Sequence, residues 1–282
     1  MLKNWFLTTF LLLGFASIAQ AEDGAIHSAL DVMTFADSYQ CGGERQPPQS
    51  YCDAVDFKAW TAEEKAIVSE YLANINDPRL VNFLKTIKEK GITKLYRVNH
   101  FAKYFNNPTL RRVEYFRSGE SPLLQVDPMN RVLTFSNTFF TGTSFIDPWA
   151  KVERRQLNIL HELVHVYDMA VSEHLSDDPG FKNAVQWIWN GKEWGPAVPG
   201  IAQVQKDFES VLALVRKGQV AEGYLLDREL GRQYGIPTVY GMLNSHELFA
   251  EIFSYYIFDP TAETYLPSEV VAHVKSMLGD SK

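Results

Sequence analysis

The chain has 282 residues, 46% of them hydrophobic and 13% aromatic, with 27 basic and 34 acidic side chains and a formal net charge of −7. That length supports one large domain, or a domain with an N-terminal lobe. The acidic balance argues against a general binder of nucleic acid or of anionic membrane, since both carry charge of the same sign.

Residues 1–21 have the layout of a secretory signal peptide. Lys3 supplies the positive start, 6–18 the apolar stretch, and Ala19-Gln20-Ala21 the small-residue cleavage pattern. The apolar run is short for a membrane span. Cleavage there leaves 26 basic and 34 acidic residues, net −8. The expected location is the periplasm or the outside of the cell, with no stable membrane insertion once the signal is gone. Cys41 and Cys52 follow, with turn formers between them. In an exported protein this reads as one local disulfide.

Residues 22–91 read as a mostly helical lobe. Residues 25–38 carry helical spacing. Thr61-Ala62-Glu63-Glu64 is a capping box that opens a helix through Ile67, Val68, Tyr71 and Leu72. Asp77-Pro78 opens another, with Leu80, Phe83, Leu84 and Ile87 on one face and Gly91 as its stop. Residues 92–282 form the second unit. Strands are expected over 92–98, 112–116 and 131–140, separated by turn signals at Asn106-Asn107-Pro108, Ser118-Gly119 and Asp127-Pro128. A small sheet packed on a long helix makes the expected fold class α+β.

Asp147-Pro148 is the expected start of that long helix, with Asp as N-cap and Pro at the first helical position. No Gly or Pro occurs from 152 to 175, and Leu157, Leu160, Val164 and Tyr167 recur at helical spacing. Its centre reads His161-Glu162-Leu163-Val164-His165. His161 and His165 share one face of a helix, so their imidazoles can bind a single Zn²⁺. Zinc brings the pKa of a bound water to about 7, and Glu162 can take the proton.

The segment 187–200 holds three Trp among Gly and Pro, which either pack under a loop or line a substrate cleft. Residues 201–217 read as a helix through Val204, Phe208, Val211, Leu212 and Val215. His100, His174 and His273 are read as structural or solvated. His246, beside an acidic candidate ligand, is retained for the site.

Zinc needs a third protein ligand. Position 171, where a third histidine would fall, is Val171, and the cysteines are far upstream. Residues 244–258 read as a second helix with Ser245 as N-cap. Glu247 and Glu251 share one face of it, among Leu248, Phe249, Ile252, Phe253 and Tyr256. Two acids on so apolar a helix are costly unless something binds them. Glu247 is therefore the third ligand, and Glu251 accepts the second ring N–H of a ligand histidine, fixing its tautomer.

At these residues the chain resembles the gluzincin metallopeptidases, and among them the anthrax lethal factor and Pro-Pro endopeptidase group. That group carries an H-E-x-x-H-x-x-D segment, matched by His161, Glu162, His165 and Asp168. It also has an E-x-F-A-E-like second helix, matched by Glu247, Phe249, Ala250 and Glu251. The resemblance spans about 130–260. It implies a zincin-like domain, one zinc per chain, and endopeptidase action on a protein or peptide substrate. It places Asp168 behind the ligands and gives Tyr240, seven residues before Glu247, the task of holding the oxyanion. The connecting segment 166–246 is longer than in the group and also holds Tyr224 and Tyr234. In gluzincins an edge strand aligns the substrate as an added strand, and 131–140 is either that edge or an ordinary core strand. Two other readings stay open: a peptidase fold reused for binding or adhesion, and a zinc amidase acting on cell-wall peptides.

Overall fold

The computed structural model of the chain describes residues 25–38, 57–99, 124–127, 132–142, 144–170, 174–189, 194–197 and 199–279. The expected signal peptide, Cys41 and Cys52, His100 and the strand over 112–116 lie outside the described residues. The architecture is mostly helical with a small mixed sheet, an α+β arrangement. No helix among the described residues is long and apolar enough to cross a membrane.

The helix expected over 25–38 is corrected to a short 3-10 turn at Ala29–Asp31 and a strand, β1 (Thr34–Phe35). The Asp31 carboxylate accepts the amides of His27 and Ser28 at 2.8 and 2.9 Å. Such local side-chain bonds compete with a continuing helix. The next two helices form as expected. Thr61 Oγ1 accepts the Glu64 amide while the Glu64 carboxylate accepts the Thr61 amide, both at 3.1 Å, and this box opens α1 (Ala62–Ala73). Asp77 caps a 3-10 turn that leads into α2 (Val81–Glu89), and Gly91 follows with φ +71°.

The sheet contains β1, β2 (Lys94–Arg97), β3 (Leu124–Asp127) and β4 (Val132–Phe135), in the order β1-β2-β4-β3. β1, β2 and β4 run parallel, and β3 is antiparallel to β4 with Leu124 opposite Phe135. The expectation for 131–140 is corrected at its end, and its two readings are separated. The strand ends at Phe135 and is followed by a short helix, α3 (Asn137–Thr141). It is also an inner strand, and among the described residues the edge beside it is β3. At the end of β4 the Phe135 carbonyl accepts the Val98 amide at 2.9 Å and the buried Arg97 guanidinium at 3.2 Å. The aromatic run that looked strand-like turns inward instead, with Phe135 and Phe139 packed edge-to-face at 4.9 Å. Burial decides over propensity here.

The long helix α4 runs Arg154–Ala170, so its expected start at Asp147 is also corrected. Asp147 Oδ1 accepts the amides of Trp149 and Ala150 at 2.8 and 2.6 Å. An Asp-Pro turn and a helix N-terminus share this chemistry. The Asp147 amide donates to Val152 O and Ile146 bridges Glu153, which closes the segment as a loop before the helix begins.

After a 3-10 turn at Leu175–Asp177 come α5 (Pro179–Ala184) and a hairpin of β5 (Trp187–Trp189) and β6 (Trp194–Pro196). The Trp-rich segment is thus an antiparallel pair, with Trp187 buried and Ile188 and Trp189 both 55% exposed. The chain continues through α6 (Ile201–Arg216), α7 (Val220–Gln233), α8 (Ser245–Phe258), α9 (Ala262–Tyr265) and α10 (Ser268–Leu278). The cap of α8 is Asn244 rather than Ser245: its side chain accepts the Glu247 amide at 2.9 Å.

One core cluster runs from Ala29 to Leu278, across the boundary expected near residue 91. α4 contributes Ile159, Leu160, Leu163, Val164 and Val166, all with no exposed surface, and packs against α8, α1, α2, β3 and β4. Ten of the 14 residues of α8 are buried, as expected of a helix that is apolar nearly all round. Each large aliphatic side chain so buried contributes about 1.5–3 kcal/mol. Beside this core lies a polar knot. Arg228, wholly buried on α7, reaches Asp147 and Asp259 at 3.0 Å each and donates to Pro237 O at 2.6 Å. It ties the loop before α4 and the end of α8 to α7.

Candidate metal centre

α4 and α8 cross the core in opposite directions, since His161 meets both Glu247 and Glu251 while His165 meets Glu247. The four-residue spacing on each helix therefore faces two histidines toward two acids. His161 Nε2 and His165 Nε2 stand 3.0 Å apart, and Glu247 Oε2 lies 3.0 Å from the first and 3.4 Å from the second. Among the described residues this is the cluster able to hold a metal ion.

The donor set fits a cation. With both rings neutral and protonated on Nδ1, the two Nε2 atoms and the carboxylate oxygen are three acceptors that no hydrogen within the cluster satisfies. A tetrahedral zinc with bonds of about 2.0–2.1 Å holds its ligand atoms about 3.3 Å apart. The observed edges of 3.0, 3.0 and 3.4 Å match that triangle within a few tenths of an ångström. Burial opposes protonation of His161, but its pairing with the Glu247 and Glu251 carboxylates holds its pKa well above the ordinary value; zinc would displace that proton. Burial likewise opposes ionisation of Glu247, and the charge of His165 and the hydrogen bonds from both rings hold it well below the usual carboxylate range.

The residues behind the ligands are two separate supports. Glu251 Oε1 lies 3.0 Å from His161 Nδ1, a close ion-pair contact bent away from a straight hydrogen bond. Its other oxygen accepts Thr238 Oγ1–H at 2.9 Å. Asp168 is brought to a different partner from the ligand rings. It accepts the Ser176 amide at 2.9 Å and the Ser176 hydroxyl at 2.6 Å, and meets His246 Nδ1 at 3.2 Å. Burial opposes its charge, but the bonds from His246 and Ser176 hold its pKa down, and the Asp168 contact raises that of His246. Asp168 thereby ties the C-terminal part of α4 to the first turn of α8, where Glu247 sits. His174 lies near His246, their rings 6.2 Å apart, and His273 packs on Phe181.

Glu162 and Tyr240 meet on one side of this cluster. Both line one cleft together with His161, Asp227, Thr238 and Glu251. Tyr240 opens a 3-10 turn, Tyr240–Leu243, directly before α8, and its ring centre is 6.3 Å from that of His161. Burial first, then the charges of Glu247 and Glu162 and a hydrogen bond to Glu247, raise its pKa well above the ordinary value. Its phenol therefore stays protonated. The other two tyrosines of the connecting segment are committed elsewhere. The Tyr224 hydroxyl bonds Asp147 and Tyr255 in the polar knot, and that of Tyr234 donates to Asp207 at 2.6 Å.

Sequence reasoning missed Asp227 and Thr238. Both belong to the chain around the C-terminal half of α7, a helix whose periodicity is broken by Gly223 and Gly231. Gly231 is needed there: a Cβ would fall 2.5 Å from the Thr238 backbone nitrogen. The pair of glycines is itself the available signal, since glycine inside a helix marks a close backbone approach. Compared with known proteins, the chain matches no family model, no curated protein and no solved structure.

Proposed function

We propose that this chain is an exported, zinc-dependent endopeptidase of zincin-like architecture, with His161, His165 and Glu247 as the ligands of one zinc. The observation that carries the reading is the convergence of three ligand atoms at tetrahedral spacing beside a carboxylate and a phenol in one cleft. The resemblance to the gluzincin group supports the assignment of roles. A zinc ion bound there supplies a Lewis acid that acidifies water and polarises a carbonyl.

The chain's own residues then divide the work. Glu162 takes the proton of the attacking water and later delivers it to the leaving amine. Tyr240 donates a hydrogen bond to the oxyanion that develops on the substrate. Glu251 holds the orientation of the His161 ring. Asp168, through His246, holds the first turn of α8 against α4. An extended peptide adds to β3, an edge strand among the described residues, which lies against α4. Three ligands with a catalytic acid beside them suit a reactive site better than a closed structural one, which has four protein ligands.

The test is cleavage of a mixed peptide library by the purified mature chain, with and without a chelator. Internal cleavage that the chelator abolishes and added zinc restores is the expected result. Full zinc occupancy with no cleavage of any peptide would instead favour a binding protein.

A further inference from the structure

Hydrolysis as described uses Glu162, Tyr240 and the ligands, yet the same cleft contains another buried acid, Asp227 on α7. It is 2% exposed. Burial first, then the nearby Glu251 charge, push its pKa up to about 7, against the opposing pull of the Tyr240 amide and of Arg154 and Arg228. A carboxyl is costly in such a place. What it does there is specific: Asp227 Oδ1 accepts the backbone amide of Tyr240 at 2.9 Å, and its own carbonyl accepts the Val239 amide at 3.3 Å.

The neighbouring amide is held by a different group. Gly241 donates to Thr238 Oγ1 at 3.1 Å, and the same hydroxyl donates to Glu251. Residues on both sides of the turn are thus pinned, Gly241 to α8 through Thr238 and Glu251, and Tyr240 to α7 through Asp227. Close packing makes both contacts possible. Gly231 lets the 236–239 segment lie on α7, and at Gly241 a Cβ would sit 3.3 Å from the Glu251 side chain. The Tyr240 phenol is carried by a backbone whose position depends on these two anchors.

We propose that Asp227 is a positioning residue for Tyr240: by accepting the Tyr240 amide it sets where the phenol stands beside His161. Its consequence for turnover rests on the metallopeptidase reading; its geometry does not. Misplacing a catalytic group by about 1 Å can cost roughly 10²-fold in rate, so the effect belongs in kcat rather than in KM.

The experiment places 3-fluorotyrosine at position 240 of the full mature chain and compares Asp227→Asn with Asp227→Leu by ¹⁹F NMR. The Asn carboxamide oxygen can accept the same amide; Leu cannot. The expected result is a wild-type resonance position in Asp227→Asn and a shift toward the denatured-chain position in Asp227→Leu. Alongside, Asp227→Leu should lose about 10- to 10²-fold in kcat with KM within about threefold and zinc content unchanged, while Asp227→Asn stays within about threefold of wild type. Should Asp227→Leu fail to fold, the fluorinated α-hydroxy acid at position 240 deletes the amide donor instead and leaves Asp227 in place; the same shift is expected. An unmoved resonance on loss of the donor or the acceptor overturns the proposal, as does an Asp227→Asn spectrum as altered as that of Asp227→Leu. If wild type cleaves no peptide, the metallopeptidase reading falls, and the resonance positions still decide the role of Asp227.

Discussion

Glu251 grips one edge of the His161 ring while Glu247 meets the other: Glu251 Oε1 is 3.0 Å from Nδ1, and Glu247 Oε2 is 3.0 Å from Nε2. The two acids are one helical turn apart on α8, so a single imidazole is oriented by one helix along its whole width. Replacing Glu251 by Ala leaves all three proposed ligands and removes this orientation together with the Thr238 contact. Zinc affinity should weaken about 10- to 100-fold, read by competition with a calibrated chelator. An affinity within twofold of wild type would mean that the ring is held by packing alone.

Tyr240, Tyr224 and Tyr234 separate three roles that sequence left together. Tyr240→Phe removes the proposed oxyanion donor, and kcat should fall about 10²- to 10³-fold with KM within a few-fold. Tyr224→Phe removes a hydroxyl from the buried polar knot, so its effect should fall on thermal stability. Tyr234→Phe should change little, because its partner Asp207 is on α6, away from the cleft. Steady-state kinetics on all three variants check this. Normal kcat in Tyr240→Phe would assign the oxyanion to another donor.

Arg228 should be worth more to stability than its single charge suggests. Arg228→Met leaves Asp147 buried without its Arg228 partner and Asp259 with Arg232 alone, a loss of about 3–5 kcal/mol when one side of a buried ion pair is removed. Urea unfolding measures it. A loss under about 1 kcal/mol would show that the two acids find other partners or are taken up by water.

The pKa of Asp227 predicts a pH dependence of stability. The native state keeps this proton up to about pH 7, whereas a free Asp releases it near 3.8. The contribution is thus fully present below pH 3.8 and is lost as pH rises to about 7. The loss across that interval is about 4 kcal/mol. Asp227→Asn does not titrate and keeps Glu251, Arg154 and Arg228 around it, so the difference between the two proteins isolates Asp227. With both stripped of metal, wild type should lose ground to Asp227→Asn between pH 4 and 7 and then run parallel to it. A constant difference across that range would contradict the raised pKa.

Much of the site was legible because it is built from local spacing. His161 and His165, and Glu247 and Glu251, are each four apart on a helix, and an α-helix turns such spacing into one face whatever surrounds it. The acids on α8 stood out because their helix is otherwise apolar. The missed parts depend on contacts between distant segments. Asp147-Pro148 has the chemistry of a helix start, and only the Ile146–Glu153 bridge shows that it closes a loop. The aromatic residues after Phe135 carry strand propensity, and only their packing on Phe135 and on the distant Trp60 shows that they turn inward as a helix. α7 carries Asp227 and Arg228 but is interrupted by glycines that serve its packing, which weakens the periodic signal just where the site needs a close approach.

The most direct measurement is peptide turnover by Glu162→Gln beside wild type, both loaded to the same zinc content. Gln has nearly the shape of Glu but cannot act as a base, and Glu162 is not a proposed ligand. Wild type should cleave peptides internally, and the variant should keep its zinc and its fold while losing about 10²- to 10⁴-fold in kcat. Turnover by Glu162→Gln within tenfold of wild type would contradict the account.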